Sequence, residues 1–190
     1  MSTPTTGSST SATAASPVPD PTVRVANTKL SDDEMAATGA GYRPAEEKPY
    51  GFYPLLPCPG PYNTDTHQST LREMHTWIGK GSVVSQYVVP YRKATAPKET
   101  VEQAKAALDC APRQTSDGKP LTVIGELAVP PVGADVQFAV SFQRGDAVDS
   151  VLLIAKDDML VSLEYMGPTQ DEGLPVLEQL GKSVAKKLSS

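Results

Sequence analysis

The chain has 190 residues, a net charge of −5 and a pI near 5.0. That length suits one domain plus a tail, with enough material to bury a real core. The acidic balance lacks the basic footprint that phosphate backbones demand, so nucleic acid is not an expected partner, and no run approaches the 18 apolar residues of a membrane-spanning helix.

Ser, Thr, Ala and Pro make up 18 of the first 22 residues. A segment with so little apolar surface cannot offset the entropy of ordering itself, so residues 1–26 are expected to form a disordered leader. Residues 27–190 are expected to form a single domain. Bacterial lipoproteins use Ser/Thr/Pro-rich leaders of this kind to hold a domain away from the membrane. There a lipid sits on a cysteine, and Met1 stands where that cysteine would be.

In chain order, Ser31 and Glu34 have capping-box spacing, which predicts a short helix over Asp32–Thr38 ended by Gly39 and Gly41. From Tyr42 to Tyr62, six prolines forbid a regular helix or a central strand, and five of the chain's aromatics crowd the same stretch. It reads as an extended strap lying on the fold. Leu71, Met74 and Ile78 at helical spacing predict a helix over Thr66–Ile78, stopped by Gly79 and Gly81. Val83–Val89 reads as a strand with Pro90 at its edge. Pro97 opens a helix over Lys98–Asp109 with Val101, Ala104 and Leu108 as its buried stripe. Ala111–Pro120 reads as a polar turn.

The last third carries the clearest pattern. Alternation around Leu121–Val129 and Val136–Gln143, a turn at Arg144-Gly145-Asp146, the doubly apolar Val148–Ala155, a turn at Asp157-Asp158 and then Met159–Met166 predict an antiparallel meander. A helix over Glu172–Leu188 closes the chain, with Leu177, Leu180, Val184 and Leu188 on its apolar face. The fold class is therefore α/β of the α+β kind: an antiparallel sheet packed against helices as a two-layer sandwich.

Reaction chemistry finds little support. His67 and His75 fall in one predicted helix about 80° apart, so they do not share a face as paired ligands would. Gly79-Lys80-Gly81-Ser82 lacks phosphate-loop spacing, and no G-x-S-x-G elbow occurs. Arg144-Gly145-Asp146 reads as turn chemistry, and the acidic pairs read as caps or turns. No catalytic residue, metal or cofactor is expected. The two cysteines, Cys58 and Cys110, permit one disulfide, which would tie the strap to the end of the helix over Lys98–Asp109. Aromatic side chains on a proline-stiffened backbone lose little entropy on binding, so Tyr50, Phe52 and Tyr53 are the candidate contact residues, with Trp77 expected to line the same hollow.

The run Val83-x-x-Gln86-Tyr87-Val88, then Tyr91, then a helix bearing Val101, Ala104 and Leu108 and ending on Cys110, resembles secreted actinobacterial sensor domains. Among these are the extracellular domains of mycobacterial receptor kinases and related streptomycete lipoproteins. The resemblance spans roughly residues 27–188. It implies an extracytoplasmic sandwich with a cleft, no catalytic residues, and a role in sensing or regulation at the envelope. The extracellular domain of the receptor kinase has two disulfides where this chain has two cysteines. The expected function is thus a non-enzymatic, lipid-anchored, monomeric envelope protein. Its expected partner is a membrane signalling ectodomain or a cell-wall or lipid ligand. The alternative is a carrier for an apolar or cell-wall-derived molecule.

Overall fold

The computed structural model describes residues 20–45, 62–109, 113–114 and 120–190. Tyr50, Phe52, Tyr53, Cys58 and Cys110 lie outside them, as does most of the strap. The described chain forms four α-helices and an antiparallel sheet of eight strands. The helices are α1 (Pro21–Thr28), α2 (Asp32–Ala36), α3 (Ala96–Ala106) and α4 (Gln170–Leu188). The strands are β1 (Arg43–Pro44), β2 (Glu73–Ile78), β3 (Val83–Pro90), β4 (Arg113–Gln114), β5 (Pro120–Glu126), β6 (Val136–Arg144), β7 (Ala147–Lys156) and β8 (Met159–Gly167). Across the sheet they run β1-β2-β3-β8-β7-β6-β5-β4.

The meander forms as its alternation predicts. Two-residue turns join β6 to β7 and β7 to β8, and Gly145 and Asp157 adopt the positive φ that such turns require. β7 is buried on both faces along nearly its whole length, as its unbroken apolar run demands. One face packs on α1, α2 and α4 through Leu152, Ile154, Val161, Leu163, Leu177, Leu180 and Val184. The other carries α3, whose Val101 and Ala104 meet Phe138, Val151, Leu153 and Leu160. A bulge between Val123 and Gly125 divides β5 between these two faces. Before it, Leu121 and Val123 pack toward α3; after it, Leu127 and Val129 pack toward α4.

Two stretches differ from their sequence expectation. Residues 72–78 do not continue a helix: Asp65–His67 form a single 3-10 turn, and β2 pairs with β3 from Glu73 opposite Val88 to Ile78 opposite Val83. The spacing of Leu71, Met74 and Ile78 fits a helix, but Thr76, Trp77 and Ile78 favour a strand, and pairing with β3 decides between them. The glycines read as a helix stop instead turn a hairpin, with Gly79 N donating to Ser82 O at 2.9 Å and Gly81 at φ 83°. His67 and His75 therefore belong to different elements.

The second difference concerns the leader, whose assigned end at residue 26 falls inside α1. Asp20 caps that helix by accepting from Thr22 N, and Pro21 sits at its first position, where a missing N–H costs nothing. Val25 and Thr28 are buried. The link from α1 to α2 is held by Gln86, a wholly buried side chain on β3. Its amide accepts from Leu30 N at 3.0 Å and donates to Thr28 O at 2.9 Å. Lys187, on the last turn of α4, reaches Lys29 O at 2.8 Å and Glu34 at 3.1 Å, closing the same corner. No described helix is long and apolar enough to cross a membrane.

Candidate functional site

The strap begins at Tyr42, immediately before β1, and that residue opens onto a hollow of about 430 Å³. The floor and walls come from four places: the end of the α2 loop, the β2–β3 hairpin, β8 and the first turns of α4. Tyr42, Lys80, Ser82, Tyr165, Glu172 and Gln179 are the polar side chains that matter. Tyr42 Oη lies 2.9 Å from Ser82 Oγ, and Tyr165 Oη donates to Glu172 Oε2 at 3.4 Å.

Three glycines let two tyrosine rings approach this closely. A Cβ at Gly79 would stand 2.7 Å from Tyr42 Cε1, and one at Gly173 would stand 2.5 Å from Tyr165 Cδ1. Gly167 leaves room for the Tyr165 hydroxyl in the same way. A side chain at any of the three would push a ring out of position.

The electrostatics suit donation rather than proton abstraction. Burial, and then the negative charge of Glu172, push the Tyr165 phenol up to about 12. Tyr42 is raised as well, first by burial, with the Ser82 hydrogen bond opposing it. Both phenols therefore stay protonated at neutral pH and act as hydrogen-bond donors. With the exposed Lys80 ammonium and the Glu172 carboxylate, the hollow offers polar contacts of both signs. Among the described residues no group of three or more His, Cys, Asp or Glu stands in position to hold a metal.

Of the candidate contact residues, Tyr50, Phe52 and Tyr53 lie outside the described residues and Trp77 does not reach this hollow, whereas Tyr42, at the start of the strap, does. Trp77 is 1% exposed and belongs to the core beneath α1 and α2, with His75 stacked obliquely 6.0 Å away. Its place opposite Val84 on β2 points it inward. The expectation that it lines the same hollow as the strap aromatics is thus corrected: it is a core residue. Ser82, Tyr165 and Glu172 were missed. Their one signal was glycine where no turn needed it: Gly173 sits within the first turn of an amphipathic helix, and Gly167 ends a strand.

No family model and no curated protein matches the sequence. The structure is similar to the extracellular domain of PknH from Mycobacterium tuberculosis, with a TM-score of 0.60 over 89% of this chain and 98% of that one, at 14% sequence identity. Of the residues that carry the resemblance in sequence, Gln86, Val88, Tyr91, Val101 and Ala104 are buried, Val83, Tyr87 and Leu108 are half-buried, and Cys110 lies outside the described residues. The buried ones fix the packing of β3 and α3, so what the two proteins share is a fold.

Proposed function

We propose that this chain is a non-enzymatic, extracytoplasmic binding domain that serves a signalling system at the cell envelope. In this reading it is an accessory lipoprotein held by an N-terminal lipid, with Cys58 bonded to Cys110. The observation that carries the reading is the likeness in fold to an extracellular receptor-kinase domain over nearly the whole of both chains. The hollow supports it: two protonated phenols and a serine hydroxyl are equipped to recognise a polar group, and no group among them is poised as a base. That polarity favours regulation through a polar ligand or partner over carriage of an apolar molecule. Tyr50, Phe52 and Tyr53, outside the described residues, are the proposed further contact residues on the strap.

Amide chemical-shift mapping of the labelled protein tests the proposal with three probes: soluble peptidoglycan fragments, anionic phospholipid vesicles and a sensor-kinase ectodomain. The expected shifts fall at residues 38–42, 80–82 and 172–179 and along the strap. Shifts confined to the last two turns of α4, or none with any probe, would count against it.

A further inference from the structure

The opposite face of the sheet, beyond the end of α3, holds a pair of acids that the binding reading does not use. Strand alternation puts Asp149 on β7 and Glu164 on β8 on the same side as Val151 and Leu160. In the β7–β8 register Asp149 stands opposite Met166 and Glu164 opposite Val151, so the two carboxyls are diagonal neighbours on adjacent strands. Asp149 is 5% exposed. Its Oδ1 receives no hydrogen bond, and its Oδ2 lies 3.9 Å from Arg144 Nη1, an ion pair too long to be a hydrogen bond. Glu164, partly buried, comes within hydrogen-bonding reach of Asp149.

Among the described residues the surroundings are short of positive charge. Across this face β3 contributes Ser85 and Tyr87, and β2 contributes Thr76, whose hydroxyl is taken up by Ser85 at 3.1 Å. β8 adds Ser162, buried and with its Oγ unpartnered, and β6 adds Arg144. The charged side chains of α3 are engaged at the surface: Lys98 with Glu102, Glu99 with Lys93, Lys105 with Glu126. Among the described residues, one guanidinium faces the two carboxyls. A single retained proton makes the group neutral, and placed on Glu164 it turns two opposed acceptors into a donor and an acceptor.

We propose that Asp149 and Glu164 share one proton at neutral pH and release it on alkalinisation, making the centre of the sheet a pH-responsive element of this domain. Loss of that proton leaves two adjacent strands with unbalanced like charge beneath the α3 face. The electrostatics agree with the geometry. Burial, then the charge of Asp149 and the hydrogen bond to it, hold the Glu164 carboxyl well above its ordinary 4.5. Burial raises Asp149 too, while Glu164 as a donor and Arg144 pull it back down. The folded protein therefore keeps a proton that the unfolded chain gives up. This contribution to stability is full below pH 4.5 and is lost as pH rises through the folded pKa.

Side-chain carboxyl NMR of the protein labelled at Asp and Glu is the direct test. One carboxyl is expected to titrate well above the ordinary glutamate value and to disappear from the Glu164→Gln spectrum. The same variant, whose amide permanently supplies the donor, should lose the fall in Tm that the native protein shows between neutral and alkaline pH. Asp149→Asn gives a second route, since removing the facing charge should move the Glu164 titration down. Every carboxyl titrating at or below its ordinary value, or a Tm slope unchanged in both variants, would overturn the proposal.

Discussion

Trp77→Ala is expected to destabilise the domain by about 3–5 kcal/mol, the range seen when a large buried aromatic is truncated. The indole is the largest fully buried side chain in the described structure, and it fills the space between β2, α1 and α2 beside Leu30, Met35 and Val84. β1 also pairs directly against Trp77 through Pro44. Equilibrium urea unfolding measures the loss. A Trp77→Ala protein with native stability would return this residue to the surface role that its aromatic character first suggested.

Gln86→Ala has the second largest expected effect, about 3 kcal/mol, and for a different reason. Removing the amide strands Leu30 N and Thr28 O, two buried backbone groups, each costing about 1–3 kcal/mol when left unpaired. Gln86→Glu separates hydrogen bonding from packing. The glutamate keeps an acceptor for Leu30 N but sets an oxygen against Thr28 O, so it should cost nearly as much as alanine despite its matching size. Hydrogen exchange at Leu30 reports the local effect, and its protection should fall in both variants. Protection unchanged in both would show that other contacts hold the α1–α2 link.

These two residues also show what the sequence makes legible. The meander could be read because the alternation of β6, the unbroken apolar run of β7 and the strand composition of β8 all fit a sheet, and their turns carry Gly145 and Asp157 where positive φ is needed. β2 misled because Met74 and Ile78, four apart, satisfy a helix as well as they satisfy a strand. Only its long-range pairing with β3 chooses between them, and no local window contains that information. α1 was hidden by composition. Its Thr- and Val-bearing sequence resembles the leader before it, although Asp20 and Pro21 are a proper helix start.

The site was half legible for a related reason. Tyr42 drew notice as one of a cluster of aromatics, and it does border the hollow. Ser82, Tyr165 and Glu172 come from a hairpin, a strand and a helix that are far apart in the chain, and only the order of strands brings them together. Tyr165 shares a strand face with the core residues Val161 and Leu163, where its ring is buried and only its hydroxyl looks toward Glu172.

The claim at the centre of this account is that the hydroxyls around the hollow recognise a ligand rather than merely brace the fold. Tyr42→Phe combined with Ser82→Ala tests it, because the pair keeps the ring packed on Gly79 and deletes two hydroxyls of the hollow, with the 2.9 Å hydrogen bond between them and the one Ser82 makes to Tyr165. Each such bond contributes about 1 kcal/mol to stability, so the double variant should fold normally with a slightly lower Tm. Calorimetric titration with whichever of the three probes shifts the native spectrum should show affinity reduced at least about tenfold, the effect of losing roughly 1.4 kcal/mol of polar contact. A double variant that binds that probe as tightly as the native protein would contradict the account.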